Sequence, residues 1–360
     1  MFESVVSVDA THEEAVRQLT VCNSCRYCEG YCNTFQALTR YRSFDEQTVS
    51  HLANLCHNCR GCYYACQYTE PHEFALNIPA LLADVRAKNW ELHIRPSWLS
   101  QLMQATLWPY VALTVVFAVL ITLVFGVSWA SSEPFYSSIS HTALVAVFLP
   151  LFVVPWIALI IGLKRYWQSV GGQRLVASDF RHALSSAAGM KQLGGGQGQG
   201  CNYESKERYT NTRRWAHQAT MYGFLMCFAS TSLGTVYHYA FGWIAPYEFF
   251  SLPKLLGVFG GLLLSAGTMV LFYLKTKADA TLGSMERVAG ENAFVGLLFL
   301  VSTSGLVLYW AGGTGLASAS LVIHLAFIAT FFVSLPYSKM VHGFFRLAAL
   351  CREAQIKRLA

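Results

Sequence analysis

From about residue 107 the chain alternates long apolar stretches with short polar ones. Six runs stand out: Leu107–Val127, Ala143–Leu163, Ala219–Phe241, Leu255–Leu274, Ala293–Trp310 and Ala317–Pro336. A hydrocarbon core of about 30 Å is crossed by about 20 apolar residues in a helix. Inside lipid the backbone must satisfy its own hydrogen bonds, so each run is expected to be a transmembrane helix. Six such runs, almost free of charge, are too many for the buried helices of a soluble protein. Upstream of Pro96 the pattern is mixed. Thr11–Leu19 reads as a helix with Glu13 and Glu14 in an early turn. Ser43-Phe-Asp-Glu46 resembles a helix start, and Pro79–Asn89 opens on a proline suited to a first turn. Strand signals are weak. The pattern therefore divides the chain at about Pro96, into 1–95 and 96–360, and predicts an all-α fold.

Composition sharpens this. Of 360 residues, 54% are hydrophobic and 13% charged, against about 25% charged in soluble domains. Disorder and an ordinary soluble enzyme are both disfavoured. Loop charge sets the orientation. The connections 164–216, 275–292 and 337–360 together hold seventeen Lys or Arg, the opposite connections only Lys254. Both termini are then expected to be cytoplasmic. The net charge of +6 lies beside the spans, which points to a lipid bilayer and not to nucleic acid. The Gly194–Gly200 stretch lacks the context of a phosphate-cradling loop and is expected to be a flexible linker.

Eight of the 11 cysteines lie between Cys22 and Cys66. The N-terminal segment is acidic and does not read as a secretory signal, so metal binding is expected over disulfides. Cys22, Cys25, Cys28 and Cys32 form C-x2-C-x2-C-x3-C, and Cys56, Cys59, Cys62 and Cys66 repeat it. Three thiolates at intervals of three wrap one loop around three corners of an iron–sulfur cubane, and the fourth reaches across to the other cluster. One [4Fe–4S] cluster is then expected on Cys22, Cys25, Cys28 and Cys66, and another on Cys32, Cys56, Cys59 and Cys62. Zinc is the rival, but it wants pairs of C-x2-C. The expected fold is thus an α-helical ferredoxin domain with two clusters, followed by a six-helix transmembrane bundle. Arg26 and Arg60 follow the second cysteine of each motif, where a cation offsets cluster charge. His51, His57, His72 and His93 are expected to be structural.

Ionisable residues within spans are costly and usually functional. His217 sits at the cytoplasmic start of the third span and His238 near its outer end; His324 lies in the outer part of the sixth and His342 just past its cytoplasmic end. The 18 residues from His324 to His342 are about five turns, which puts both on one face. With antiparallel spans, His217 and His342 share the cytoplasmic level and His238 and His324 the outer one. Two such pairs suit one or two bis-histidine b-type haems. Arg213, Arg214 and Arg346 are placed to pair with propionates, and His141 is the rival outer ligand.

Paired cysteine motifs followed by six spans ending in Leu335-Pro-Tyr-Ser-Lys-Met-Val-His342 resemble the tricarballylate/citrate-utilisation protein B family over the whole chain. The region around His342 also resembles the haem-b subunits of nitrate and heterodisulfide reductases. The family resemblance implies a subunit of the bacterial inner membrane that reoxidises a cytoplasmic flavoprotein dehydrogenase, the partner that oxidises tricarballylate. It implies electron delivery to membrane quinone. The sequence holds no dinucleotide, P-loop or hydrolase motif, so an oxidoreductase subunit without substrate chemistry of its own is expected. A transporter or sensor with a redox-responsive iron–sulfur domain is the alternative; Gly260, Gly261 and Gly267 hint at it.

Overall fold

The computed structural model describes residues 2–127, 129, 139–195, 198–202 and 208–359. Among them all regular structure is helical, apart from one isolated bridge between Cys201 and Thr210. The N-terminal part holds α1 (Phe2–Cys25), α2 (Asn33–Leu38), α3 (Glu46–Leu55), α4 (Gly61–Tyr64) and α5 (Ile78–His93). Local chemistry sets the starts. Asp45 caps α3 by accepting from Thr48 N–H at 2.8 Å, and Asn77 caps α5 by accepting from Ala80 N–H at 3.2 Å. A short α6 (Ser97–Ala105) leads into the apolar helices.

Those helices are α7 (Trp108–Phe125), α8 (His141–Ser169), then α9 (Ala177–Ala188) in the first basic loop, α10 (Thr212–Phe241), α11 (Leu252–Lys277), α12 (Val288–Ala311) and α13 (Ala317–Ser334). Five of them, α7, α8, α11, α12 (together with the short turn from Met285) and α13, are long and apolar enough to cross a membrane. Their outward faces stay apolar: Leu123 is 73% exposed and Val154 63%. Trp108 and Trp310 are exposed at opposite ends, as aromatic belts require.

The third expected span lies within α10, which is not among the five. It is a continuous helix of 30 residues, about 45 Å long, but hydroxyl residues dilute its apolar character. Those hydroxyls are satisfied internally. Thr231, Ser232 and Thr235 donate to Cys227, Phe228 and Thr231 carbonyls, and Ser230 donates to Pro253 O at 2.6 Å. Gly260 and Gly267 of α11 serve this contact, whereas Gly261 faces Leu306 of α12. A Cβ at Gly260 would meet Cys227 N at 2.9 Å, and one at Gly267 would meet Ala216 O at 2.8 Å. Close antiparallel packing of α10 on α11 accounts for them.

The tail forms α14 (Val341–Leu359). It folds back under the bundle against the N-terminal helices. Phe345 is fully buried between Trp90 of α5 and Tyr166 of α8. Ion pairs complete the junction: Arg287 with Glu91, and Lys275 and Lys339 with Glu291.

Candidate iron–sulfur and haem sites

The eight motif cysteines line two separate cavities. Cys22, Cys25, Cys28 and Cys66 line the first, of about 250 Å³, with Tyr27, Phe35, Tyr68 and Leu76. Cys32, Cys56, Cys59 and Cys62 line the second and tighter one with Tyr31, Phe35, Ile78 and Leu82. The fourth cysteine of each motif thus lines the other motif's cavity, and Phe35 borders both. The first quartet lies outward: Cys25 is exposed and Tyr27 is 67% exposed. The second lies inward, toward the helix bundle.

Local backbone brings the thiols round. Cys22 and Cys25 end α1, Cys32 precedes α2, and Cys56 follows α3. Arg26 and Arg60, at matching places in the two motifs, both have positive φ, 56° and 68°. Asn58 does too, at 50°. Left-handed backbone at non-glycine residues costs about 1–3 kcal/mol and concentrates at functional sites. Backbone N–H groups point at sulfur: Asn58 to Cys56 Sγ and Tyr68 to Cys66 Sγ, both at 3.4 Å.

The donor set fits iron–sulfur clusters. Burial and then mutual repulsion among the thiols push Cys22 and Cys28 up to about 12. Cys59 and Cys62 are raised too, for the same reasons. To act as thiolates, four sulfurs packed this way would need a compensating multivalent cationic centre. Among the described residues no three His, Cys, Asp or Glu side chains converge as a single-ion site. Each quartet instead lines a cavity.

The inner quartet is held by four parts of the chain. Arg86 of α5 donates to Cys56 O at 2.6 Å and Ala53 O at 3.2 Å. Arg346 of α14 donates to Cys56 O at 2.6 Å. Arg213 of α10 donates to Asn58 O at 2.6 Å and His57 O at 3.2 Å. Asn58 Nδ2 donates to Leu282 O at 3.2 Å in the second basic loop. Arg213 and Arg346, expected beside haem propionates, thus also grip the cysteine loop, and Arg214 donates to Gly189 O at 2.8 Å. His57 Nδ1 donates to Leu55 O at 3.0 Å.

The glycine stretch is not a free linker where it is described. Cys201 and Thr210 exchange backbone hydrogen bonds, and Asn202 N–H donates to Cys59 O at 2.9 Å. Gly200 has φ +101°, and a Cβ there would meet Thr210 O at 2.1 Å. Glycine lets the loop close onto the inner quartet.

The histidines divide unevenly. His217 lies one turn beyond Arg213 on α10, and His342 one turn before Arg346 on α14. Their rings are 5.7 Å apart between centroids and steeply inclined. His342 Nδ1 donates to Lys339 O, which leaves Nε2 as a lone-pair donor. Burial, reinforced by His217 and Arg346, keeps His342 neutral, well below the ordinary imidazole value. This pair has the chemistry of bis-imidazole ligation. The outer pairing of His238 with His324 is not assembled. His238 stacks on His141, with centroids 3.9 Å apart, and His141 Nε2 meets Tyr239 Oη at 3.1 Å. His324 turns toward α12, where Ser304 Oγ lies 2.9 Å from its Nδ1 and Gly305 leaves it room. The outer end of α10 faces the start of α8, which is why the rival residue meets His238.

Residues 15–91 match the profile described as "Citrate utilization protein B Fer4-like domain", and 95–360 match "Citrate utilization protein B". The Escherichia coli "Citrate utilization protein B" is 37% identical over 351 residues, covering 96% of this chain and 92% of that protein. The chain belongs to the citrate utilization protein B family. No solved structure matches. The family's Fer4-like domain coincides with the segment that carries both cysteine quartets. Arg86 is the site residue that sequence reading missed. It is a mid-helix arginine with no motif around it, and its role emerges only when α5 packs against the end of α3.

Proposed function

We propose that the chain is a membrane-embedded electron conduit in citrate or tricarballylate utilisation. It takes electrons from a flavin-dependent dehydrogenase at the cytoplasmic face of the bacterial inner membrane and delivers them to quinone. When bound, two [4Fe–4S] clusters and b-type haem supply single-electron carriage. Cys22, Cys25, Cys28 and Cys66 hold the outer cluster, where exposed Cys25 and Tyr27 face a donor. Cys32, Cys56, Cys59 and Cys62 hold the inner one. His217 and His342 hold haem at the cytoplasmic level, and the stacked His238 and His141 mark the outer level.

One observation carries this reading. The two helices that bear His217 and His342 also bear, one turn away, the arginines that grip Cys56–Asn58. The inner cysteine loop and the histidine pair are thereby fixed next to each other. The same junction supports the topology. The N-terminal helices, both basic loops and α14 all meet at one end of the bundle, which requires an even number of crossings. Counting α10 as a span satisfies this and leaves both termini cytoplasmic, as the loop charges indicate.

The test is a count of iron, acid-labile sulfide and haem on detergent-solubilised protein, with a reduced-minus-oxidised optical spectrum. About eight irons, matching sulfide, a b-type spectrum and reoxidation by added quinone are expected. Protein lacking acid-labile sulfide overturns the proposal.

A further inference from the structure

The two cysteine motifs share one spacing but sit in opposite electrostatic surroundings. At the outer quartet Arg26 is exposed and donates to Asn23 O at 3.0 Å on its own helix. The charged or ionisable groups facing Cys22 and Cys28 are other cysteines. At the inner quartet the matching Arg60 is only 4% exposed, and its Nε donates to Asn58 Oδ1 at 3.3 Å. Arg86, 5% exposed, joins it, together with Arg213 and Arg346 on the same short loop. Arg346 faces Arg86, Arg213 and the Cys56 thiol, and its Nε is sealed from solvent without a partner among the described residues. Gathering guanidiniums away from water is costly unless an anion compensates them. Backbone carbonyls take several of their N–H groups but bring no charge. For Arg86 and Arg346 the hydrogen bonds go to backbone carbonyls, and the compensating charge is that of four thiolates on a metal–sulfur body, which grows more negative on reduction.

We infer that Arg86 and Arg346 raise the reduction potential at the inner quartet above that at the outer one. This makes electron flow directional, from the exposed quartet to the buried one beside His217 and His342. The inference rests on the two-cluster reading above. Burial alone acts the other way, because a low dielectric disfavours the more negative, reduced state. The guanidiniums of Arg86 and Arg346 reverse that sign, whereas Cys22 and Cys28 face other cysteines. The step moves one electron and no proton. The electron enters from the reduced flavin of the donor, and the oxidant is quinone by way of the haem. The arginines act through the inner cysteine loop, so they are positioning residues.

The experiment is an anaerobic potentiometric titration of full-length solubilised protein, followed by electron paramagnetic resonance. Two midpoints are expected, with Cys66→Ser identifying the outer signal. Arg346→Gln should lower the higher midpoint by at least about 59 mV, a tenfold change in a one-electron equilibrium, and leave the lower one in place. Arg346→Lys should recover most of the shift, because it restores charge without the fork geometry. If Arg346→Gln binds iron poorly, Arg86→Gln carries the same expectation. Unchanged midpoints in a fully loaded Gln variant overturn the inference, and so does an equal shift in Lys and Gln. A wild-type protein without acid-labile sulfide fails the two-cluster reading instead.

Discussion

Cys66 is the residue on which the pairing of the two motifs turns. It closes the second motif in sequence, yet it lines the cavity of the first. Cys66→Ser is therefore expected to weaken the outer cluster and spare the inner one. Iron and sulfide should fall by about half while the haem spectrum stays, and a loss confined to the other quartet's signal would contradict the crossed pairing. Histidine substitutions separate the two membrane levels. His342→Ala or His217→Ala should abolish one b-type absorbance with iron and sulfide retained. His324→Ala should leave that absorbance intact, since its ring is turned toward Ser304. The cysteines were legible in sequence because thiolate spacing is local geometry. The outer histidine partner was not, because helical period fixes the face on which His238 and His324 lie but not which helix that face meets.

At the scale of elements, hydropathy located the apolar helices and missed the character of α10. Its hydroxyl residues lower its apolar content, but they bond within the helix or to Pro253, so lipid does not penalise them. The close crossing with α11 is the sensitive point. Gly223 has Leu264 N only 2.5 Å from a would-be Cβ, and Gly260 has Met226 Cβ at 2.8 Å. These neighbours include backbone, which cannot swing aside. Gly260→Leu is expected to push α10 off α11 at a cost of about 1–3 kcal/mol. Because α10 carries His217, the variant should lose haem absorbance while keeping iron and sulfide. A variant with full haem and wild-type thermal stability in detergent would show that the crossing does not position His217. Helices α6 and α9 escaped the sequence reading because each is short and has no long apolar run to announce it.

At the scale of the molecule, composition divides the chain near Pro96, but the core does not. Trp90, Tyr166 and Phe345 come from α5, α8 and α14 and pack as one cluster. No pattern within α14 announces this, since a basic amphipathic tail has the same composition whether docked or free. The tail is fastened by Glu353, whose side chain is 3% exposed between Arg40 and His51. Burial alone would raise the Glu353 pKa; the His51 and Arg40 contacts overcome it and hold the carboxyl at about 2. Its contribution is therefore full above about pH 4.5 and is lost as pH falls toward 2. His51 is lowered below 6.5, chiefly by burial, so the docked state holds it neutral and loses ground as pH falls below 6.5. Both signs agree: acid loosens the tail. Hydrogen exchange across residues 341–359 should be slow at pH 7.5 and, corrected for intrinsic rate, accelerate progressively below pH 6.5. Glu353→Gln removes one partner of a buried pair and should weaken docking by about 3 kcal/mol, so that exchange is fast even at pH 7.5. Since Arg346 lies on the same helix, loosening should also broaden the inner cluster signal before the outer one. Equal protection of 341–359 in wild type and Glu353→Gln at pH 7.5 would show that the aromatic cluster alone holds α14 against the N-terminal helices.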